Sequence, residues 1–186
     1  MNKRSTFAAQ EKENKMKVEL RKWSLEDKDG LINLCDNVDR KFLSNRMPIL
    51  YETSDALAWI SKVRQIDGIE GVYRAITVDG RIVGNISVER RPDIFCIDGD
   101  IGYMVLPEFY SMGIATEAVA SICSTAFFEL SLRRISAVVI ADNKASIRVL
   151  EKNGFELEGT MHRAATKNGN IYDICLMGRV LLPCPI

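Results

Sequence analysis

Pro107-Glu108-Phe109-Tyr110-Ser111-Met112-Gly113 joins an apolar run, Ile101 to Leu106, to a helical pattern that begins at Ile114. A strand that stops at a proline, a short turn carrying glycine and a helix that starts at once leave the helix's first N–H groups aimed back into the turn, without partners. Together with the positive end of the helix dipole they favour a phosphate-like anion. Gly113 either lets the backbone approach such an anion or is an ordinary strand-to-helix glycine. A second polar cluster, Asp142-Asn143-Lys144-Ala145-Ser146, opens a short helix. Asn143 has the type of an N-cap, and Ser146, three residues on, shares its side of the first turn.

The elements that position these groups follow from periodicity. Val18 to Trp23 alternates like a strand, and Ser24 with Asp27 forms a capping-box pattern before a helix that would bury Leu31, Leu34, Cys35 and Val38. A loop near Asn45 to Pro48 precedes a helix from Ser54 or Asp55. Val72 to Val78 and Arg81 to Glu89 flank the hairpin signal Asp79-Gly80. Residues 94–106 read as the next strand, interrupted near Gly99. Ile114 to Leu130 is a helix with Ala115, Ala118, Val119, Ile122, Ala126 and Leu130 on one face. Arg134 to Ala141 is a buried strand, Asn143 to Asn153 a helix ended by Gly154. Phe155 to Arg163 and Asn170 to Leu181 are the last strands, turned at Lys167-Asn168-Gly169. The order β, α, α, β, β, β, α, β, α, β, β predicts an α/β (α+β) domain: a mixed sheet of about seven strands, antiparallel in its first half, flanked by about four helices.

Composition narrows the function. The 186 residues suit one domain, 17–186, behind a charged segment, 1–16, that is either loose or a short extra helix. Twenty-five basic residues balance 25 acidic ones, so charge argues for neither a nucleic-acid nor a membrane partner. No apolar run nears the roughly 20 residues that span a bilayer, and the N-terminus lacks a hydrophobic signal core, so the expected location is cytoplasmic. Cys35, Cys96, Cys123, Cys175 and Cys184 are scattered without a C-x-x-C pair, which argues against a metal site or a disulfide framework. A Ser/His/Asp or Cys/His mechanism would rest on the one histidine, His162. Neither Gly-Lys-Ser/Thr nor G-x-G-x-x-G occurs, which disfavours a nucleotide-binding loop.

Four segments together resemble the GNAT superfamily of acetyl-CoA-dependent N-acetyltransferases, most of all its RimJ/RimL-like branch, over residues 18–181. They are Ile101-Gly102-Tyr103-Met104-Val105-Leu106-Pro107-Glu108; Gly113-Ile114-Ala115-Thr116-Glu117-Ala118; Asp142 to Ser146 followed by Val149-Leu150-Glu151-Lys152-Asn153-Gly154-Phe155; and Glu158 to Arg163 with Tyr172. The resemblance implies the acyl-CoA N-acyltransferase fold, with acetyl-CoA as co-substrate and no metal. It places the CoA pyrophosphate on the loop Tyr110, Ser111, Met112, Gly113, Ile114, Ala115 and Thr116. The superfamily's Arg/Gln is replaced by Tyr110, as is usual in this branch, and Met112 replaces a frequent lysine. The amides of Met112 to Thr116 are then the main phosphate ligands. The strand end Met104, Val105 and Leu106 would line the pantetheine, Met104 and Leu106 pairing their backbones with it. Asn143 and Lys152 complete the cofactor set, Asn143 also being a plain N-cap.

Ser146 would by resemblance return a proton to the departing CoA thiolate, with Tyr172 and Tyr103 as weaker candidates. The thiol's pKa of about 8.5 asks for only a modest acid. Asp100 matches the position of a catalytic glutamate in many relatives and would take the amine's proton through a water; Glu89 is the second candidate. The Met104 N–H would stabilise the oxyanion. An α-amine of pKa about 8 is on the order of a tenth neutral at pH 7, whereas a lysine at about 10.4 is less than about a thousandth neutral. A protein N-terminus therefore needs little help, and a polyamine or lysine needs a real base. Acceptor choice is expected from residues 24–70 and the last hairpin. Two functions remain from this reading: an N-acetyltransferase acting on a primary amine through a ternary complex, or an acyl-CoA-binding module that has lost turnover. Relatives also suggest a homodimer.

Overall fold

The computed structural model describes residues 16–181. The expectation for residues 1–16 lies outside them, apart from Met16, which packs on the larger core. In chain order the elements are β1 Val18–Arg21, α1 Lys28–Asn37, α2 Thr53–Ile66, β2 Gly71–Val78, β3 Arg81–Arg90, β4 Asp98–Val105, α3 Ile114–Glu129, β5 Arg134–Ile140, α4 Lys144–Lys152, β6 Glu156–Lys167 and β7 Asn170–Val180. The seven strands form one sheet in the order β1-β2-β3-β4-β5-β7-β6. Only the β4–β5 neighbours run parallel. The predicted element order and fold class therefore hold. No helix among the described residues is long and apolar enough to cross a membrane.

Period-2 alternation sends side chains to the two faces in turn. One face carries Ile76, Ile86, Val88, Val105, Ile135 and Met177 against α3 and Leu150 of α4. The other carries Tyr73, Ala75 and Met104 against Leu31, Leu34 and Cys35 of α1 and Ala56, Ile60 and Val63 of α2. The Ser24–Asp27 box forms as expected: the Asp27 carboxylate accepts the Ser24 N–H at 2.8 Å.

The feature that shapes the site is a split in the sheet. β4 pairs with β5 only at Asp98–Arg134, Gly99–Ile135 and Asp100–Ser136. Asp98, buried, bolts this closed end. It accepts the Ser136 hydroxyl at 2.7 Å and the Gly99 N–H at 2.8 Å, with Arg91 at 3.4 Å and Arg134 at 3.5 Å. Beyond Asp100, β4 stays on β3 while β5 continues beside β7 to Ile140. A slot opens between β4 and β5.

Backbone phase decides which groups face that slot. The Asp98 carbonyl accepts from Arg91 at 2.9 Å, and the Leu106 N–H donates to the Val83 carbonyl at 2.8 Å, both on the β3 side. Antiparallel pairing alternates, so Asp100, Gly102 and Met104 also turn their backbones to β3, and Ile101, Tyr103 and Val105 turn theirs to the slot. Gly84 is required by this close pairing: a Cβ there would sit 2.5 Å from the Met104 carbonyl oxygen. Gly84→Ala is expected to cost about 1–3 kcal/mol by overpacking. A urea melt would show it as a lower midpoint at unchanged slope, and an unchanged midpoint would refute the close fit.

Two boundaries depart from expectation. Residues 94–97 are not strand; a 3-10 turn, Asp93–Phe95, precedes β4. Ile94, Phe95 and Ile97 supplied an apolar run but are 78%, 55% and 56% exposed, so no core holds them extended. The strand expected to end at Arg163 runs to Lys167 through a bulge, in which four steps of β6 (Met161 to Ala165) face two of β7 (Ile174 to Tyr172). Arg163 there has φ +54°. The Asp173 carboxylate holds the bulge, accepting the Arg163 N–H at 2.8 Å and meeting His162 Nδ1 at 2.9 Å. Bulges of this kind bend a strand.

Candidate active site

The loop after β4 is built to bare its amides. Tyr110 N–H is spent on the Pro107 carbonyl at 3.1 Å, and Glu117 N–H, the first satisfied within α3, bonds Gly113 at 3.0 Å. Between them Ser111 and Gly113 both adopt left-handed backbone, φ +61° and +82°. Alternating handedness turns successive N–H groups to one side and forms an anion nest. Gly113 is the N-cap of α3, and an added Cβ there would meet nothing within 4 Å. The space beside Gly113 is therefore open. Ile114 anchors it, its side chain 1% exposed in the core while its N–H belongs to the orphan set.

This nest floors one end of a cleft of about 570 Å³. Of the residues expected from sequence, the cleft gathers Met104, Val105, Tyr110, Ser111, Gly113, Ile114, Ala115, Thr116, Asn143, Ser146 and Lys152, with Tyr103. Asn143 uses its side-chain oxygen to cap α4, accepting the Ser146 N–H at 3.1 Å. That leaves its amide NH₂ as a donor, so cap and ligand roles are compatible. Across the slot the Tyr103 hydroxyl meets Ser146 Oγ at 2.8 Å and the Ser146 carbonyl at 3.2 Å. Burial raises the Tyr103 phenol to about 12, against a smaller opposing effect of the Ser146 hydrogen bond. It is therefore a protonated donor at neutral pH.

Other expected residues stand apart. Leu106 is 2% exposed and its N–H is taken by Val83, and Met104's backbone faces Asn85 of β3. The expectation that these two backbones pair with the pantetheine, and that the Met104 N–H is the oxyanion donor, is corrected by the phase of β4: the slot-facing groups are those of Tyr103 and Val105. The Met112 side chain is 51% exposed and outside the cleft lining. Tyr172 lies on β7 opposite Ala165, beyond the bulge, and is likewise outside that lining. Asp100 and Glu89 are cross-strand partners at the closed end of the slot, on the α1/α2 face. Burial chiefly raises the Asp100 carboxyl, while Arg91, with Nε 3.2 Å from Oδ2, opposes. Asp100 Oδ1 is enclosed and has no protein partner.

The sequence reading missed Val38, Asp39, Phe42 and Leu43 of the α1–α2 loop, and Phe109, Ala145, Arg148 and Val149, all in the cleft. Arg148 was the recoverable one: it lies four residues before Lys152 on one helix face. The loop residues carried no signal, because nothing local says that this loop folds over the slot. Lys167, at the tip of the β6–β7 hairpin, holds it there, donating to the Leu43 carbonyl at 2.6 Å and to Asn45 Oδ1 at 2.8 Å.

Among the described residues no group of three or more His, Cys, Asp or Glu is placed to hold a metal. Cys35, Cys123 and Cys175 are buried and Cys96 is exposed, all as free thiols.

Comparison with known proteins identifies the family. Residues 17–156 match the model of the acetyltransferase (GNAT) domain, so the chain belongs to the GNAT acetyltransferase family. It is 43% identical over 74 residues to the N-acetyltransferase YoaA of Bacillus subtilis, covering 40% of this chain and 42% of that protein. It is 32% identical over 124 residues to the L-amino acid N-acetyltransferase AaaT of Escherichia coli, covering 66% and 75%. The sequence match thus spans less than half of YoaA's length. Mycobacterium smegmatis RimJ, solved in complex with CoA-disulfide, superposes with a TM-score of 0.75 at 25% identity, covering 88% of this chain and 81% of that one.

Proposed function

We propose that the protein transfers an acetyl group from acetyl-CoA to a primary amine by direct attack in a ternary complex. The observation that carries this reading is the convergence, in one cleft, of the Gly113 nest, the free edge of β4 and the Tyr103–Ser146 pair. Membership of the family and the likeness to a CoA-bound neighbour support it.

When bound, acetyl-CoA supplies a thioester carbonyl open to an amine. The amides of Met112 to Thr116 would hold the pyrophosphate, with Arg148 and Lys152 adding charge and Asn143 donating to the pantetheine. Slot-facing groups of Tyr103 and Val105 would pair with the arm like an added strand. Tyr103, coupled to Ser146, returns the proton that the sulfur needs as the C–S bond breaks. Asp100, reached through water, takes the proton that the attacking nitrogen loses. The likeness to RimJ supports a protein N-terminal α-amine as acceptor, and a small amine is the other class to test.

Thiol release from acetyl-CoA with N-terminal peptides and small amines tests the reading. Turnover of at least one is expected. Tight CoA binding without release for any amine would instead support a non-catalytic acyl-CoA module. Asp100→Asn should lower the rate more for amines of high pKa than for α-amines; equal losses would remove Asp100 as the base. Lys167→Ala should free the α1–α2 loop and raise the acceptor KM about 3–10-fold, the scale of one solvent-exposed hydrogen bond of about 1 kcal/mol, while acetyl-CoA KM stays put. Equal change in both constants would contradict the roof assigned to this clasp.

A further inference from the structure

A glycine inside a strand weakens it, and it marks a bulge, a crowded spot or a place where another molecule comes close. Gly84 of β3 and Gly99 of β4 are crowded. An added Cβ would lie 2.5 Å from the Met104 carbonyl oxygen in the first case and 2.8 Å from Leu132 Cδ1 in the second. Gly102 of β4 is different. A Cβ there would meet nothing within 4 Å, and its φ lies outside the left-handed region. The β3–β4 ladder runs through it without a register shift, so no bulge requires it. Gly102 is also exposed, although β4 is the fourth of seven strands in the sheet. Nothing in the protein itself calls for glycine at this position.

Register tells which way the missing side chain would point. Gly102 pairs with Ser87, and Ser87 pairs with Tyr73 of the core beneath α1 and α2. Directly paired residues share a face, so the empty volume lies on the α1/α2 face. Asp100 and Met104, two residues away on either side, share that face. Ser87 is half-buried, and its hydroxyl makes no hydrogen bond among the described residues. Position along β4 adds the chemistry. With the diphosphate at the Gly113 nest and the arm beside Val105 and Tyr103, the thioester end reaches β4 near Gly102. There it stands between Tyr103, assigned to the sulfur's proton, and Asp100, assigned to the nitrogen's.

We propose that Gly102 is a specificity-determining position for the acceptor. The volume that a side chain would fill is the lane by which the amine reaches the thioester from the α1/α2 face, and it houses the substituents on the amine-bearing carbon. This rests on the acetyltransferase reading above. Ser87, across the lane, offers its hydroxyl to the incoming nitrogen. Glycine here leaves the strand weaker than a larger residue would; the passage of a second substrate accounts for it.

The test uses a probe that joins both substrates and needs no turnover: coenzyme A whose sulfur carries a CH₂–CO group in amide linkage to alaninamide. Calorimetry compares its Kd with that of CoA alone. Gly102→Val should weaken the joined probe at least about 10-fold, the scale of overpacking. The Kd of CoA should stay within about 2-fold, because the arm lies in the plane of the slot and the new side chain stands on one face. Gly102→Ala, the milder change, should weaken the probe about 3-fold. Valine suits a strand better than glycine, so Gly102→Val should melt about 2–4 °C above wild type. Equal affinity of wild type and Gly102→Val for the joined probe, or equal weakening of probe and CoA, would overturn the proposal. A valine variant that melts below wild type would also overturn it, because the protein's own atoms would then need the space. Since binding is read, absence of thiol release with every amine would count against the acetyltransferase reading and leave this comparison standing.

Discussion

Gly113→Glu should abolish coenzyme A binding. Gly113 sits at φ +82°, where any residue with a Cβ is strained by about 1–2 kcal/mol. The space beside it is open to 4 Å, so the new side chain would not clash with the protein. It would fill the nest and set a carboxylate against the diphosphate. The loss should be at least about 100-fold in Kd, since strain, occlusion and like-charge repulsion each contribute on the order of 1 kcal/mol or more. Calorimetry with CoA checks it, and a melting curve separates binding from folding. Ile114 remains the buried anchor, so the fold should survive with a modestly lower Tm. An unchanged Kd would remove the phosphate site from this loop.

Tyr103→Phe should give the largest loss in kcat of any single change that spares cofactor binding. The hydroxyl belongs to a half-buried pair that spans the slot, 2.8 Å from Ser146 Oγ. Its pKa, pushed up to about 12 by burial, keeps the hydroxyl protonated at neutral pH, a hydrogen-bond donor to the departing sulfur. General acids contribute about 10²–10⁴-fold, and a thiol leaving group asks for the low end. The expected drop is about 10–100-fold in kcat, with CoA affinity within about 2-fold. Ser146→Ala should lose less, because Tyr103 keeps its own proton. The double variant should be no worse than Tyr103→Phe, as befits groups acting as one unit. A larger loss for Ser146→Ala would make serine the donor and tyrosine its support.

Much of the fold was legible because each element announces itself locally. The Ile114 helix shows its period, Asp79-Gly80 its turn, and Asn143 its cap. The loop around Gly113 was legible for the same reason: strand end, glycine and helix start are contiguous. The reading failed where the determining fact was a relation between distant residues. Tyr103 and Ser146 lie 43 positions apart, and only the slot brings them together. The slot itself comes from how far the β4–β5 ladder extends, which alternation does not encode. Hence the wrong backbone phase was given to Met104 and Leu106. Ile94 to Ile97 misled because an apolar run implies burial only when something covers it. The place of the α1–α2 loop over the cleft was invisible because it depends on Lys167, 124 positions beyond the Leu43 carbonyl that it holds.

A crystal structure of the protein with coenzyme A tests the whole account at once. The diphosphate oxygens should lie within hydrogen-bond distance of the N–H groups between Met112 and Thr116, and the pantetheine amides should pair with Tyr103 and Val105. A diphosphate bound away from that turn, or an arm paired with Met104 and Leu106 through a rearranged β3–β4 ladder, would contradict it.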